Sequence, residues 1–325
     1  MPDRADELIG RADLDGLLSL AVDLLHDGRW GDAQELRNRC LAAVESGRQL
    51  WPVAAHIAYR AVLQGPIDFA VEILETDAGT FALGPYPEVA SGRADALEVQ
   101  SRLAPGSTSS ALAHELAARG RRTVSELDGL DTDRGVPLDL ALWEPTYLTP
   151  EYKAFEVLDP PPKFERIPFS AETLPDSDHV DDELNAFDGV FEHWITRSEG
   201  RVEVAAASGD VPGAVRALGP SRAGIEPISS SDALRWLHWA GGCGGAWGRR
   251  RGGGTARFEL WWSLATLTGL DDHWPLDPAE LGAAVQELQF HRWDAGEPAV
   301  GWTVRLAVHD PVDDLSWAIA ATDAR

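Results

Sequence analysis

Four arginines fall within nine residues of an otherwise acidic chain: Arg249, Arg250, Arg251 and Arg257. A guanidinium presents a planar fork of donors suited to carboxylate or phosphate, so this cluster is the candidate anion-binding site. It stands in a glycine-rich run, Gly248-Arg249-Arg250-Arg251-Gly252-Gly253-Gly254-Thr255, which has the outline of a phosphate-binding loop. Gly254 occupies the place where that motif needs lysine, and the run follows an expected helix where the motif needs a strand. Three consecutive arginines on a regular helix also point about 100° apart and do not easily share one ligand. Pairing with nearby carboxylates, or solvation, is the plainer expectation.

Cys243 lies between two glycine pairs and suggests a second chemistry, a thiolate nucleophile with His238 or His291 as its base. Helical spacing puts it on a tryptophan-bearing face, where burial would keep the thiol inert. Among His238, His273, His291 and His309 there is no HxH, HExxH or HxxxH pair, so no metal site is expected. The acidic clusters Asp176-Ser177-Asp178 and Asp181-Asp182-Glu183 lack the spacing and glycine of a calcium loop and read as a solvated helix start. Neither a catalytic motif nor a cofactor fingerprint is present, and no cofactor is expected. Cys40 falls among the apolar positions of a helix and reads as a small core residue.

The element expected to position these groups is a helix from Ser231 to Gly248. On it Trp236, Cys243 and Trp247 come nearly into register, with Trp239 about 60° away. Gly241, Gly245 and Gly248 fall on the opposite side. These seven residues form the expected structural core helix, bulky on one flank and bare on the other. Nine of the thirteen tryptophans lie between Trp236 and Trp317, so the core concentrates here. A following helix offers Phe258, Trp261, Trp262 and Ala265 at i, i+3, i+4, i+7 as a partner face.

The first third of the chain reads as helical hairpins. Leu14, Leu17, Leu18, Ala21 and Leu25 form one buried stripe; Ala33, Leu36, Cys40, Leu41 and Val44 form the next. A third helix begins near Pro52, and Gly65-Pro66 breaks the chain before Ile67–Leu74. No fixed repeat period emerges, so an irregular bundle is preferred to a solenoid. Eight of 21 prolines lie between Asp131 and Val180, which predicts an extended connector with short strands at Leu138–Trp143 and Tyr152–Leu158.

Beyond the connector a helix is expected over Val180–Thr196, strands at Val202–Ala206 and Ala223–Ile228, and a short helix at Val211–Leu218. Asp277-Pro278-Ala279-Glu280 has the form of a helix start. Two alternating runs, from Trp302 and from Leu315, make an antiparallel hairpin. The fold class is therefore α+β: a helical N-terminal bundle over 1–130, a proline-rich connector over 131–178, and an α+β tryptophan-rich domain over 179–325 with a largely antiparallel sheet.

Three stretches, GGAWGRRRGGGTARFELWWSLATLTGL, QFHRWDAGEPAVGWTVRLAVHD and LSWAIAATD, resemble an uncharacterised actinobacterial protein family. The likeness covers roughly the last hundred residues. It implies a shared fold and no assigned activity.

Composition narrows the candidates. With 53 acidic and 28 basic residues the formal net charge is −25, which disfavours nucleic acid and anionic membrane as partners. No apolar stretch is long enough to span a bilayer, and a cytoplasmic protein is expected. The residues point away from an enzyme and toward a protein-interaction or scaffold protein whose partner is unknown. A small-molecule enzyme or sensor binding an anionic ligand near Arg249–Arg257 is the first alternative. An immunity-type inhibitor of a basic partner is the second.

Overall fold

The computed structural model describes residues 4–77, 79–121, 134–160, 162, 172–175, 184–298 and 301–324. These form an α+β fold that divides into two compact units, one of residues 1–112 with 151–158, the other of 113–150 with 159–325.

Unit 1 is built from helices α1 (Arg4–Arg11), α2 (Leu14–His26), α3 (Trp30–Glu45), α4 (Trp51–Gln64), α5 (Ile67–Thr76), α6 (Tyr86–Ser91) and α7 (Ala96–Arg102), and the boundary falls within α8 (Ser107–Ala118). Leu17, Ala21, Leu25, Leu36, Cys40, Val53 and Ile57 meet in one core, so the i, i+3, i+4 stripes of the sequence are the packed faces. Arg93 caps the end of α4 by donating to the carbonyls of Ala61, Val62 and Gly65 at 3.2, 3.1 and 2.8 Å. A two-stranded hairpin, β1 (Glu151–Tyr152) and β2 (Val157–Leu158), completes the unit.

Unit 2 centres on a six-stranded antiparallel sheet. Its strands are β3 (Glu172–Thr173), β4 (Arg201–Ser208), β5 (Arg222–Pro227), β6 (Gln289–Asp294), β7 (Trp302–Asp310) and β8 (Leu315–Asp323), in the order β3-β5-β6-β7-β8-β4. The hairpin β7–β8 runs in register from Trp302↔Asp323 to Asp310↔Leu315, and β4 adds to it from Arg201↔Thr322 to Ser208↔Leu315. One face carries Val304, Leu306, Val308, Trp317 and Ile319 against α9 (Asp188–Thr196), α11 (Ser230–Cys243) and α12 (Gly253–Leu267). The opposite face carries Ala207, Ala307 and Ala318 beneath the short α10 (Val211–Ala217). Asp277 caps α13 (Pro278–Glu287) by accepting from the Ala279 amide at 2.7 Å.

Three local expectations are corrected. Residues 152–158 are not one strand: the chain turns between β1 and β2, and Tyr152 pairs with Val157. Residues 138–143 form no strand, because the Glu144 carboxylate accepts from the Ala141 amide at 2.9 Å and closes a turn there. The α9 helix starts at Asp188 after a 3₁₀ turn over Leu184–Phe187, later than the expected Val180. The acidic clusters at 176–178 and 181–183 lie outside the described residues.

Candidate functional site

Ser229 caps α11, its hydroxyl accepting from the Asp232 amide at 3.1 Å. Along the helix Leu234, Leu237, Trp239 and Cys243 are buried, and Trp236 packs partly buried against the same core. Trp239 meets Trp194 edge to face at 5.9 Å. The helix ends at Cys243, short of the expected Gly248. Gly244 and Gly245 take left-handed conformations, φ 76° and 84°, and the backbone then doubles back. A Cβ on Gly248 would lie 1.7 Å from the Gly244 carbonyl oxygen. Gly245 and Gly248 therefore serve a tight turn, and Trp247 leaves the helical stripe. It is 61% exposed, with its indole Nε1 donating to the Ala324 carbonyl at 3.0 Å. Gly241 remains in α11, where an added Cβ would lie 3.4 Å from Ala256 Cα of α12.

The loop delivers the chain to the start of α12, at Gly253-Gly254-Thr255. A helix N-terminus combines unpaired N–H groups with the positive end of the helix dipole, so it attracts an anion. The occupant here is Glu115 of α8, whose Oε1 accepts from the Gly254 amide at 3.0 Å. A Cβ on Gly253 would sit 2.8 Å from the other Glu115 oxygen, so a side chain there would push the carboxylate away. The glycine run makes an anion seat, and the chain's own carboxylate fills it.

The arginines are engaged in the same way. Arg250 pairs with Asp159, both side chains almost buried. Arg251 reaches Glu259 at 2.6 Å and donates to the Gly189 carbonyl at 2.6 Å. Arg257 and Glu144 are each 0% exposed and form a two-pronged pair, Nε to Oε1 at 2.8 Å and Nη2 to Oε2 at 2.5 Å. Arg257 donates further to the carbonyls of Pro137 and Asp139 and to His114 Nδ1. Glu144 accepts in addition from Tyr147 Oη at 2.7 Å and Trp261 Nε1 at 3.0 Å. Arg249 is the exposed member of the cluster.

Burial alone would raise the Glu144 carboxyl, but the Arg257 charge and the converging donors outweigh it and hold the group below its ordinary value. Burial first, and then the Glu144 charge, push the Tyr147 phenol well above its usual range. The Arg257 guanidinium and the Glu144 carboxylate meet each other and further partners on both sides. Any ligand entering this network would have to displace a carboxylate of the protein itself.

A model of a family of unknown function, DUF6183, matches residues 15–325. The chain belongs to that family. The DUF6183 match takes in nearly the whole chain, well beyond the hundred C-terminal residues that carried the resemblance in the sequence. No curated protein and no solved structure matches it.

The thiol and imidazole chemistry of this DUF6183 chain is equally confined. Cys243 donates to the Ala240 carbonyl at 3.3 Å, and burial pushes its thiol up to about 12. His238 stacks on Tyr147, ring centroids 4.0 Å apart, and donates from Nε2 to the Gly253 carbonyl at 3.1 Å. Burial lowers its imidazole to about 3, so the ring is neutral at physiological pH. Among the described residues no group of three or more His, Cys, Asp or Glu side chains could hold a metal ion.

The residues that complete this network, Glu115, Glu144, Asp159, Tyr147 and His114, were not singled out from sequence. Each stands far from the arginines along the chain, and Glu144 is a lone acid in the aperiodic stretch WEPTY. The one usable signal was negative: a dense arginine cluster beside thirteen tryptophans needs internal carboxylates.

Unit 1 presents a different surface. The hairpin β1–β2 is pinned by Tyr152 Oη, which donates to Glu88 Oε2 at 2.5 Å, and by Tyr59 Oη, which donates to the Lys153 carbonyl. Between its strands Phe155 is 68% exposed and stacks on His56 of α4, centroids 5.3 Å apart. Phe81, 59% exposed, stacks on Trp51 at the start of α4 at 4.1 Å. Burial, with Arg60 nearby, lowers His56 to about 4, so the ring under Phe155 carries no charge at neutral pH.

Proposed function

We propose that this DUF6183 chain is a non-enzymatic, cytoplasmic protein-interaction or scaffold protein, and that it engages its partner through the aromatic surface of unit 1. The single observation that supports this is the contrast in exposure. The reactive side chains around Cys243, His238 and Arg257 are buried and mutually bonded, whereas Phe81 and Phe155 are exposed and held by Trp51 and His56. The actinobacterial origin suggested by the sequence resemblance belongs with this proposal.

The test is affinity purification with the wild-type chain and a Phe81→Ser/Phe155→Ser variant of matched melting temperature. A stoichiometric partner that is retained by the first and lost by the second is the expected result. No stoichiometric partner, or one held equally by both, overturns the proposal. Loss of the partner at moderate salt would identify the immunity-type case, an acidic surface docked on a basic protein.

An anionic ligand beside Arg249–Arg257 would have to displace Asp159, Glu259 or Glu144. Thermal-shift screening with nucleotides and phosphosugars separates that alternative, since a ligand that binds the native state raises the melting temperature. Under the present proposal none of these compounds shifts it.

A further inference from the structure

The α10 face of the sheet changes character along its strands. Under α10 the strand residues are small: Ala207 on β4, Ala318 on β8 and Ala307 on β7. The helix ends at Ala217, and Gly219 (φ 110°) turns the chain away. Past that point the same face carries Glu203 and Arg201 on β4, Ala320 and Thr322 on β8, and Arg305 on β7. They line a groove of about 380 Å³, with Leu218–Pro220 on its rim. That volume lies in the range of small-molecule sites, ~300–1,000 Å³.

Each arginine of the groove pairs with an exposed glutamate. Arg201 pairs with Glu203 at 2.5 Å, and both side chains are exposed. Arg305 bonds Glu297 at 2.6 Å and Asp294 at 3.3 Å, and the Glu297 side chain is 68% exposed. Exposed pairs of this kind contribute little, so an incoming acid can compete with either glutamate. Arg305 itself is only 13% exposed and is fixed over the Trp293 ring at 5.2 Å. Its Nε is buried with no acceptor among the described residues, as is the Thr303 hydroxyl on the same strand face.

Register sets the spacing. Arg305 pairs with Ala320 and Arg201 with Thr322, so the two arginines are two strands and two positions apart. Strand spacing and rise place their Cα atoms about 12 Å apart across a floor of small side chains. Two long side chains spanning that distance converge on a molecule with an acid at each end. At physiological salt only charges within about 8 Å act strongly, and within the groove those are the two arginines with Glu203, Glu297 and Asp294, so a dianion binds by taking the place of the two exposed glutamates.

We propose that this groove binds a small dicarboxylate, one carboxylate on Arg305 and the other on Arg201. The site is independent of the unit 1 surface and of the Arg249–Arg257 cluster.

The test is isothermal titration with succinate and glutarate at constant ionic strength, with acetate as the monoanion and inorganic phosphate as the compact anion. Saturable binding of a dicarboxylate, with acetate at least tenfold weaker, is expected. Arg201→Gln should weaken it tenfold or more without changing the melting temperature. Glu203→Gln should tighten it, because it removes the competing internal carboxylate; a purely structural role for the groove would not produce that gain. No saturable dicarboxylate binding below about 10 mM, or equal affinity in the Arg201→Gln chain, overturns the proposal. So does phosphate binding as tightly as succinate, since that would make the site a single-anion site.

Discussion

Unit 2 holds two sets of arginines that differ in almost every respect. Around the α12 N-terminus, Arg250, Arg251 and Arg257 are buried or nearly so against Asp159, Glu259 and Glu144, and Arg257 uses its guanidinium on four different residues. On the opposite face of the sheet, Arg201 and Arg305 reach exposed glutamates that solvent can replace. The denser cluster was the more conspicuous in the sequence, yet it is the sparser pair whose glutamate partners are exposed. Density of charge marks a site only where the charge remains unmet.

The sharpest break of that contrast is Arg257→Met. It leaves the Glu144 carboxylate buried with only neutral donors, and losing one partner of a buried pair costs about 3–5 kcal/mol. Urea unfolding should show a loss of that order. Adding Glu144→Gln should return much of it, because it removes the buried charge while Tyr147 and Trp261 can still donate to the amide oxygen in the place of Oε1. A loss below about 1 kcal/mol for Arg257→Met would place the pair with the exposed ones.

The glycines that shape the loop can be tested against one that does not. Gly248→Ala forces a Cβ to within 1.7 Å of a carbonyl oxygen, and overpacking of this kind costs about 1–3 kcal/mol. Gly241→Ala meets Ala256 at ordinary contact distance and should be neutral or stabilise α11 by up to about 1 kcal/mol. Equal effects at the two positions would mean that the turn after Cys243 does not form as described.

Acidification should destabilise the fold through His238. His238 is lowered to about 3 in the folded chain, so between that value and its unfolded value near 6.5 only the unfolded state takes up a proton. Stability from this group is intact above about pH 6.5 and falls as the pH drops. Between pH 7.5 and 5.5 the loss is about 1.4 kcal/mol. His238→Phe keeps a ring against Tyr147 and removes the titration. Its unfolding free energy should therefore fall by about that much less over the same interval, whatever its absolute stability. Parallel pH profiles for the two chains would contradict the burial of His238.

Periodicity made much of this fold legible. The stripes of α2 to α5, the cap at Asp277 and the alternation of β7 and β8 are local patterns, and each stands within a residue or two of where its spacing puts it. The end of α11 was illegible because Gly241, Gly245 and Gly248 lie on one side of a helical wheel whether or not the helix continues. Only the left-handed turn at Gly244 decides the matter, and no local spacing encodes it. The partners of the arginines were hidden for a different reason. Glu144 lies 113 residues from Arg257 and Glu115 lies 139 from Gly254, so the pairing is a property of tertiary packing. The groove was invisible as well, since Arg201 and Arg305 become neighbours only through the register of β4, β8 and β7.

The smallest effect is the one that fixes the lower end of the scale. A double-mutant cycle on Arg305 and Glu297, measured without ligand, should give a coupling energy of no more than about 1 kcal/mol, because Glu297 is largely in solvent. That value should shrink further at 1 M salt, where the screening length is about 3 Å. The same cycle on Arg257 and Glu144 should give several-fold more and barely respond to salt, since neither group meets water. Should the Arg305–Glu297 coupling match the buried one, Glu297 would be a fixed partner of Arg305, and an entering carboxylate would have no means of displacing it.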